Sequence, residues 1–329
     1  MASFDVMPDV QLYQPVELAD ALKLADELGP EGWLLGGGQD TYGWMKDRAK
    51  HARAMIDLNG IEALRGIRET DDGIEIGATT TLREIMRDER IRRDYSLLAQ
   101  AAGRVASPQI RNVGTLGGNL SQDTRCWYYR RGLACYRAGG NLCYADGPEA
   151  MNREHAVFGA SRCVAVSPSD TATALTALEA TMVAQSAGGR RTIAAEDFFV
   201  GPATHIRQMT CLEDNEILTA VRIPSKWAGK KFYFEKIADR DVWDFALVSI
   251  AVAMSMDGDK VADSRFVCGG VACKPHRLKN VERAVRGKPL SEESAEAVAP
   301  LASEGGKPLN YNHYKLPLME NLVRRAIRG

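Results

Sequence analysis

The spacing of apolar residues divides the chain into alternating helical and extended stretches. Val16, Leu18, Ala19, Leu22, Leu24, Ala25 and Leu28 recur at helical intervals and predict a helix from Pro15 to Leu28. Trp33-Leu34-Leu35 predicts a short strand broken by Gly36-Gly37-Gly38, and Ala54–Leu58 predicts the next. Gly73–Ala78 alternates with the period of two expected of a strand, and Thr81–Met86 opens a helix behind a threonine cap. Leu97–Val105 predicts an alanine-rich helix ending near Ser107-Pro108. Arg162–Val166 is strand-like, and Asp170–Thr181 predicts an apolar helix. Ala180–Gln185 and Gly189–Ile193 predict a hairpin across Ser186-Ala187-Gly188-Gly189. Glu216–Pro224 predicts a strand ended by its proline. The polar stretch 225–231 is the candidate linker. Beyond it, strands Lys231–Ile237 and Val261–Val267 flank the apolar segment Phe245–Met256. Helices near 291–303 and 315–328 complete a mixed α+β chain with no internal repeat.

Length and composition narrow this picture. At 329 residues the chain exceeds one ordinary domain, and two or three are expected. A formal net charge of −1 gives no bulk attraction to nucleic acid or to an anionic membrane. No apolar run approaches the roughly 18 to 20 residues of a membrane span. The first nine residues carry neither a basic nor an apolar signal region, so a cytoplasmic location is the default expectation, although a partner could carry an export signal. Seven cysteines in a chain this large point to metal ligation more than to disulfide crosslinks.

Two glycine runs carry the first candidate chemistry. Leu35-Gly36-Gly37-Gly38-Gln39-Asp40-Thr41 follows a strand, and its glycines let the backbone turn and aim several N–H groups at one anion. It lacks the G-x-G-x-x-G spacing of a Rossmann unit. Gly114-Thr115-Leu116-Gly117-Gly118-Asn119 offers the same chemistry again, and the pair suits an extended diphosphate cofactor such as flavin adenine dinucleotide. Each run has a plain alternative as an ordinary turn. In Ser167-Pro168-Ser169-Asp170, Asp170 reads first as a helix cap and otherwise as a carboxylate for cofactor hydroxyls. Lys236 is either a solvated strand lysine or a cation reaching the cofactor.

Cys126, Cys135, Cys143 and Cys163 fall within 38 residues, at gaps of 9, 8 and 20. No C-x₂₋₄-C pair exists, which disfavours ordinary structural zinc. Widely spaced thiols in glycine-punctuated loop suit an iron–sulfur cubane, with Arg125, Arg130, Arg131 and Arg137 available to offset its charge. Unligated thiols in an insertion are the alternative. Cys211, Cys268 and Cys273 read as buried fillers. None of the five histidines is expected to pair with a serine or cysteine nucleophile, and no catalytic residue is identified.

These motifs, in this order, resemble the FAD-binding medium subunit of the molybdenum hydroxylase (xanthine dehydrogenase) family. The matching residues are Leu35–Thr41, Gly114–Asn119, Ser167–Asp170, Asn215–Pro224, Tyr233–Lys236, Asp244–Val252 and Gly269–Arg277. The cysteine insertion is similar to that of members with an extra [4Fe–4S] cluster, such as 4-hydroxybenzoyl-CoA reductase and the bacterial aromatic aldehyde oxidoreductases. Gln39 stands where many relatives carry threonine. The long last gap, filled by Met151–Gly159, looks closer to the aldehyde oxidoreductases.

The resemblance implies a PCMH/vanillyl-alcohol-oxidase-type FAD-binding fold of two subdomains, about 1–58 and 59–225, with a [4Fe–4S] insertion at about 122–163. A C-terminal domain of the CO dehydrogenase flavoprotein type follows at 226–329. It implies FAD contacts at Leu35, Gly36, Gly37, Gly38, Gln39, Asp40, Thr41, Ala102, Thr115, Gly118, Asn119, Ser121, Ser169, Asp170, Leu218 and Lys236. Asp170 meets the polyhydroxyl chain, and Leu218 and Lys236 approach the isoalloxazine. Cys126, Cys135, Cys143 and Cys163 are the implied cluster ligands. Implied partners are a large molybdopterin subunit, a small subunit with two [2Fe–2S] clusters, and an external carrier such as ferredoxin or NAD, in a dimer of heterotrimers. The expected function is electron transfer between that carrier and a molybdenum subunit acting on an aldehyde, aromatic or aryl-CoA substrate. A stand-alone FAD oxidase with a zinc-binding or empty cysteine loop is the alternative, and a cofactor-free assembly subunit is a third reading.

Overall fold

The computed structural model describes residues 6–328 and contains three sheets. The first is parallel, with order β1 (Gln11–Tyr13), β3 (Ala54–Asp57), β2 (Gly32–Leu35). Helix Leu18–Leu28 crosses it and buries Ala21, Leu22 and Ala25 against Ile56. Its predicted start at Pro15 is three residues early, since Glu17 is the flanking residue.

The second sheet has order β4 (Ile67–Thr70), β5 (Gly73–Gly77), β8 (Ile217–Pro224), β6 (Thr181–Ser186), β7 (Gly189–Ala194), every pair antiparallel. The predicted hairpin is β6–β7. Helix Leu82–Arg87 begins with a capping box between Thr81 and Glu84, which satisfies two orphan donors at once. Helices Ser96–Gly103, Leu116–Leu120 and Asp170–Ala177 pack over the sheet, with Ile76, Leu98, Leu116, Leu175 and Val221 in one core.

The third sheet is antiparallel, with order β12 (His276–Arg277), β11 (Lys260–Gly269), β10 (Val248–Asp257), β9 (Lys231–Ile237). Strand β10 alternates between two cores. Ala251 and Ala253 face the second sheet's helices, while Ile250, Val252 and Met254 face helices Lys279–Val285, Glu292–Val298 and Lys315–Arg328. Burial on both faces explains why its sequence is continuously apolar.

One expectation fails. Residues 162–166 form no strand; Val164 accepts one hydrogen bond from Ala156 N and Ser167 donates one to Ala272 O, so no ladder develops. The candidate linker 225–231 is ordered: Ser225–Trp227 is a helical turn with the Trp227 ring buried and its Nε1 donating to Glu179. The cysteine insertion consists of short turns, at Trp127–Arg130, Tyr136–Ala138 and Tyr144–Asp146.

Candidate functional site

The two glycine runs meet. A Cβ on Gly36 would press on the Thr115 hydroxyl, and one on Gly37 would overlap the Val113 carbonyl, so only glycine lets the loops touch. Gly38 has φ +73°, the left-handed region that side chains avoid. Among the described residues, no acceptor in the chain meets the backbone N–H groups of Gly37, Gly38, Gln39 and Asp40. Four successive unmet donors in a turn form an anion-binding concavity, which suits a diphosphate. In the second run, Thr115 accepts from Gly118 N and caps helix Leu116–Leu120, while Ser121 ends that helix.

The side chains of the first run face elsewhere. Gln39 Nε2 donates to Gly37 O at 3.2 Å, and Thr41 Oγ1 accepts from Trp33 Nε1 at 3.0 Å. Asp40 accepts from Trp44 Nε1 and pairs with both Arg125 and Arg130. This loop offers its backbone, and its carboxylate reaches back to the cysteine insertion. Leu35 is buried beside Met45 and Met55.

Asn119 lies where the second run meets helix Asp170–Ala177. Its Oδ1 accepts from Ser169 Oγ at 2.6 Å and Thr171 Oγ1 at 2.5 Å. The helix cap is Ser169, which accepts from Ala172 N, so the cap reading of Asp170 is corrected. Asp170 instead pairs with Lys236 at 2.6 Å, both sealed from solvent, and Lys236 Nζ also donates to Arg104 O at 3.0 Å. Burial pushes the Asp170 carboxyl up, against the pull of Lys236. The solvated reading of Lys236 therefore fails. Ala102 and Leu218 are both buried in the core shared by the second sheet and its helices.

Cys126, Cys135, Cys143 and Cys163 line one small cavity with Tyr129, Tyr144, Arg137 and His155. Its thiols remain unpaired with one another. Among the described residues, no three His, Cys, Asp or Glu side chains converge as ligands of one metal ion. A single tetrahedral zinc, with Zn–S near 2.3 Å, would need its sulfurs about 3.8 Å apart. Burial pushes the Cys126 thiol up to about 11. Ligation would expel its proton, and an activated cysteine nucleophile is disfavoured.

One histidine does lie against a cysteine, although not against an activated nucleophile. His155 Nε2 lies 3.2 Å from Cys126 Sγ, and burial together with the Lys315 charge pushes the imidazole down to about 4, leaving it neutral. The pair is 29 residues apart in sequence, and no spacing rule announces it. Also unannounced is the trio of half-buried Lys50 with buried Asp123 and Arg137. Burial pushes the Asp123 carboxyl up, but Lys50 and Arg137 outweigh this and hold it below its usual range. Arg137 thus brings to the sulfur cavity a cation that shares its one carboxylate with Lys50. Cys273, expected as a filler, is buried against Cys163 and Met209 beside that cavity, whereas Cys211 is only half-buried.

A second cavity, of about 570 Å³, adjoins the first. Ser169 and Asp170 line it, as do Arg125, Arg130, Arg131 and the overhanging loop Asp239–Leu247. Trp243 N in this loop donates to Ala106 O at 2.9 Å, and both residues hold positive φ. Cys126 and His155 line both cavities. The glycine runs lie outside both linings, so the structure groups the predicted residues as a loop pair, a polar centre at Asn119–Asp170–Lys236, and a sulfur cavity.

Comparison with known proteins identifies the family. Residues 8–226 match the FAD binding domain in molybdopterin dehydrogenase, and residues 233–329 match the CO dehydrogenase flavoprotein C-terminal domain. The aldehyde oxidoreductase FAD-binding subunit PaoB of Escherichia coli is 34% identical over 320 residues, 96% of each chain. The carbon monoxide dehydrogenase medium chain of Hydrogenophaga pseudoflava is 28% identical over 98% of each. A solved structure of carbon monoxide dehydrogenase from that organism, lacking the Mo-pyranopterin moiety, superposes with a TM-score of 0.77 over 98% of this chain and 97% of that one.

Proposed function

Because the chain belongs to the FAD-binding medium subunits of the molybdenum hydroxylases, we propose that it carries electrons between an external carrier and a molybdenum-bearing partner, through FAD and a [4Fe–4S] cluster of its own. The chain is an oxidoreductase subunit that binds FAD. Substrate chemistry falls to a large molybdopterin subunit, and a small two-[2Fe–2S] subunit completes the heterotrimer. Of the expected substrates, the identity with PaoB favours an aldehyde over an aryl-CoA.

One observation carries the cluster reading. All four clustered cysteines line a single cavity, although 8 to 20 residues separate neighbours along the chain. Four thiolates are the usual ligand set of a cubane. When bound, FAD would exchange an electron pair with the carrier and single electrons with a cubane, which is the chemistry such a subunit needs. This chain's residues hold and insulate: the unmet N–H groups of Gly37–Asp40 and the Thr115–Asn119 turn suit the diphosphate. Asp170, fixed by Lys236, faces the cavity side suited to the polyhydroxyl chain. We read residues 1–225 as the FAD-binding part, with the insertion at about 122–163, and 226–329 as the C-terminal domain.

Metal analysis of anaerobically purified protein tests this reading. About four iron and four sulfide per chain, without zinc, are expected. Cys135→Ser should abolish the cubane's EPR signal while flavin absorbance persists. Zinc in place of iron would favour the stand-alone oxidase, and unchanged iron in the variant would overturn the ligand set.

A further inference from the structure

The partition between the two cavities is built from two side chains, Cys126 and His155, the residues that line both. Their contact is direct, with Nε2 3.2 Å from Sγ. A ligating thiolate carries no proton, so at this distance the contact is attractive only when Nε2 bears the hydrogen. The other ring nitrogen supports that tautomer. His155 Nδ1 is buried with no hydrogen-bond partner among the described residues, and a proton there would be an unmet donor.

The backbone that carries the ring is held from within the insertion and from outside it. His155 N donates to Asn152 O at 3.1 Å, and His155 O accepts from Asn312 Nδ2 at 3.0 Å. Asn152 is itself fixed, giving Nδ2 to Ala145 O and accepting Tyr311 N on its Oδ1. Lys315 Nζ donates to Glu154 O at 2.9 Å, beside His155 in the chain. Residues 311–315 therefore fix the backbone from which the imidazole projects.

Resting on the cluster reading above, we propose that His155 is a positioning residue for the cluster, donating Nε2–H to the Cys126 thiolate and thereby raising the cluster's reduction potential. Reduction adds negative charge to the sulfurs, so a donor there favours the reduced form, as hydrogen bonds to cluster sulfurs generally do. Its place in the partition puts this adjustment on the sulfur nearest the cavity that holds Ser169 and Asp170.

The test is a redox titration of full-length protein, purified anaerobically with its partner subunits and followed by cluster EPR. His155→Leu keeps an apolar volume and removes the donor. It should shift the one-electron equilibrium about tenfold toward the oxidised form, a midpoint about 59 mV lower. His155→Gln supplies an amide N–H and should recover most of that shift. A leucine variant with full iron content and an unchanged midpoint overturns the proposal, as does a glutamine variant that falls as far as the leucine one. Reduced wild-type protein labelled with ¹⁵N-histidine provides a readout that needs no variant: pulsed EPR should detect one imidazole nitrogen coupled to the cluster, and absence of coupling overturns the assignment. Wild-type protein without iron and sulfide would instead sink the cluster reading itself, before any variant is made.

Discussion

Lys236 and Lys315 are both sealed inside the protein, but they are held in different ways. Lys236 faces the Asp170 carboxylate at 2.6 Å, and the two ions satisfy each other. Lys315 has no carboxylate within ion-pair distance among the described residues, and its Nζ donates to the carbonyls of Glu154 and Gly270. Burial therefore pushes Lys315 down to about 7. The first site is a fixed charge pair next to the predicted cofactor residues. The second is a staple from the C-terminal domain to the cysteine insertion, and it works best when neutral. A buried cation is thus no uniform sign of a binding centre; its partner decides what it does.

The largest expected effect breaks the first site. Lys236→Met leaves Asp170 buried and uncompensated, which should cost about 3–5 kcal/mol of stability and deplete bound flavin. Denaturant unfolding and the flavin-to-protein absorbance ratio check this, and replacing both partners by apolar residues should recover much of the stability.

Lys315→Met should cost less, about 1–3 kcal/mol at pH 9, because two buried carbonyls lose their donor. The pH dependence sharpens the contrast. Lys315 binds a proton more weakly when folded, so between about pH 7 and 10 the unfolded chain holds more protons. Stability from this group then rises with pH, by up to roughly 1.4 kcal/mol per unit. Below about pH 7 both states are protonated and the rise stops. The difference between wild type and Lys315→Met, measured by unfolding at several pH values, isolates this slope from that of the buried thiols. A flat difference would mean that the ammonium stays charged.

The smallest effect concerns the exposed pair Arg153–Asp239, which also joins the insertion to the third sheet's loop. Both side chains are about half exposed, so Arg153→Ala should cost less than about 1 kcal/mol, and added salt should shrink that further. A loss as large as that of Lys315→Met would show that surface charge, and not the buried staple, fastens the insertion.

What could be anticipated from sequence was what depends on neighbours in the chain. The glycine runs announce themselves because only glycine permits the Gly37–Val113 approach and the Gly38 backbone angle. The β6–β7 hairpin and the Thr81 cap are equally local. Strand-like Arg162–Val166 misled because an extended segment needs a partner ladder, which composition does not supply. Asp170 was open to misreading for a related reason, since Ser169 beside it is as good a cap, and the lysine that claims Asp170 is 66 residues away. His155–Cys126, Asp40–Arg125 and Lys315–Gly270 are bonds across the fold, invisible to periodicity.

Trp227 has a consequence for how such chains can be recombined. It sits between the two matched family segments, at the position where a cut looks easiest, yet its ring is sunk in the larger core and tied to Glu179. A crossover that swapped C-terminal halves between relatives just ahead of residue 227 would import a foreign plug into a socket shaped by the other parent. The viable seam falls after the tryptophan, so the plug should be inherited with the front half.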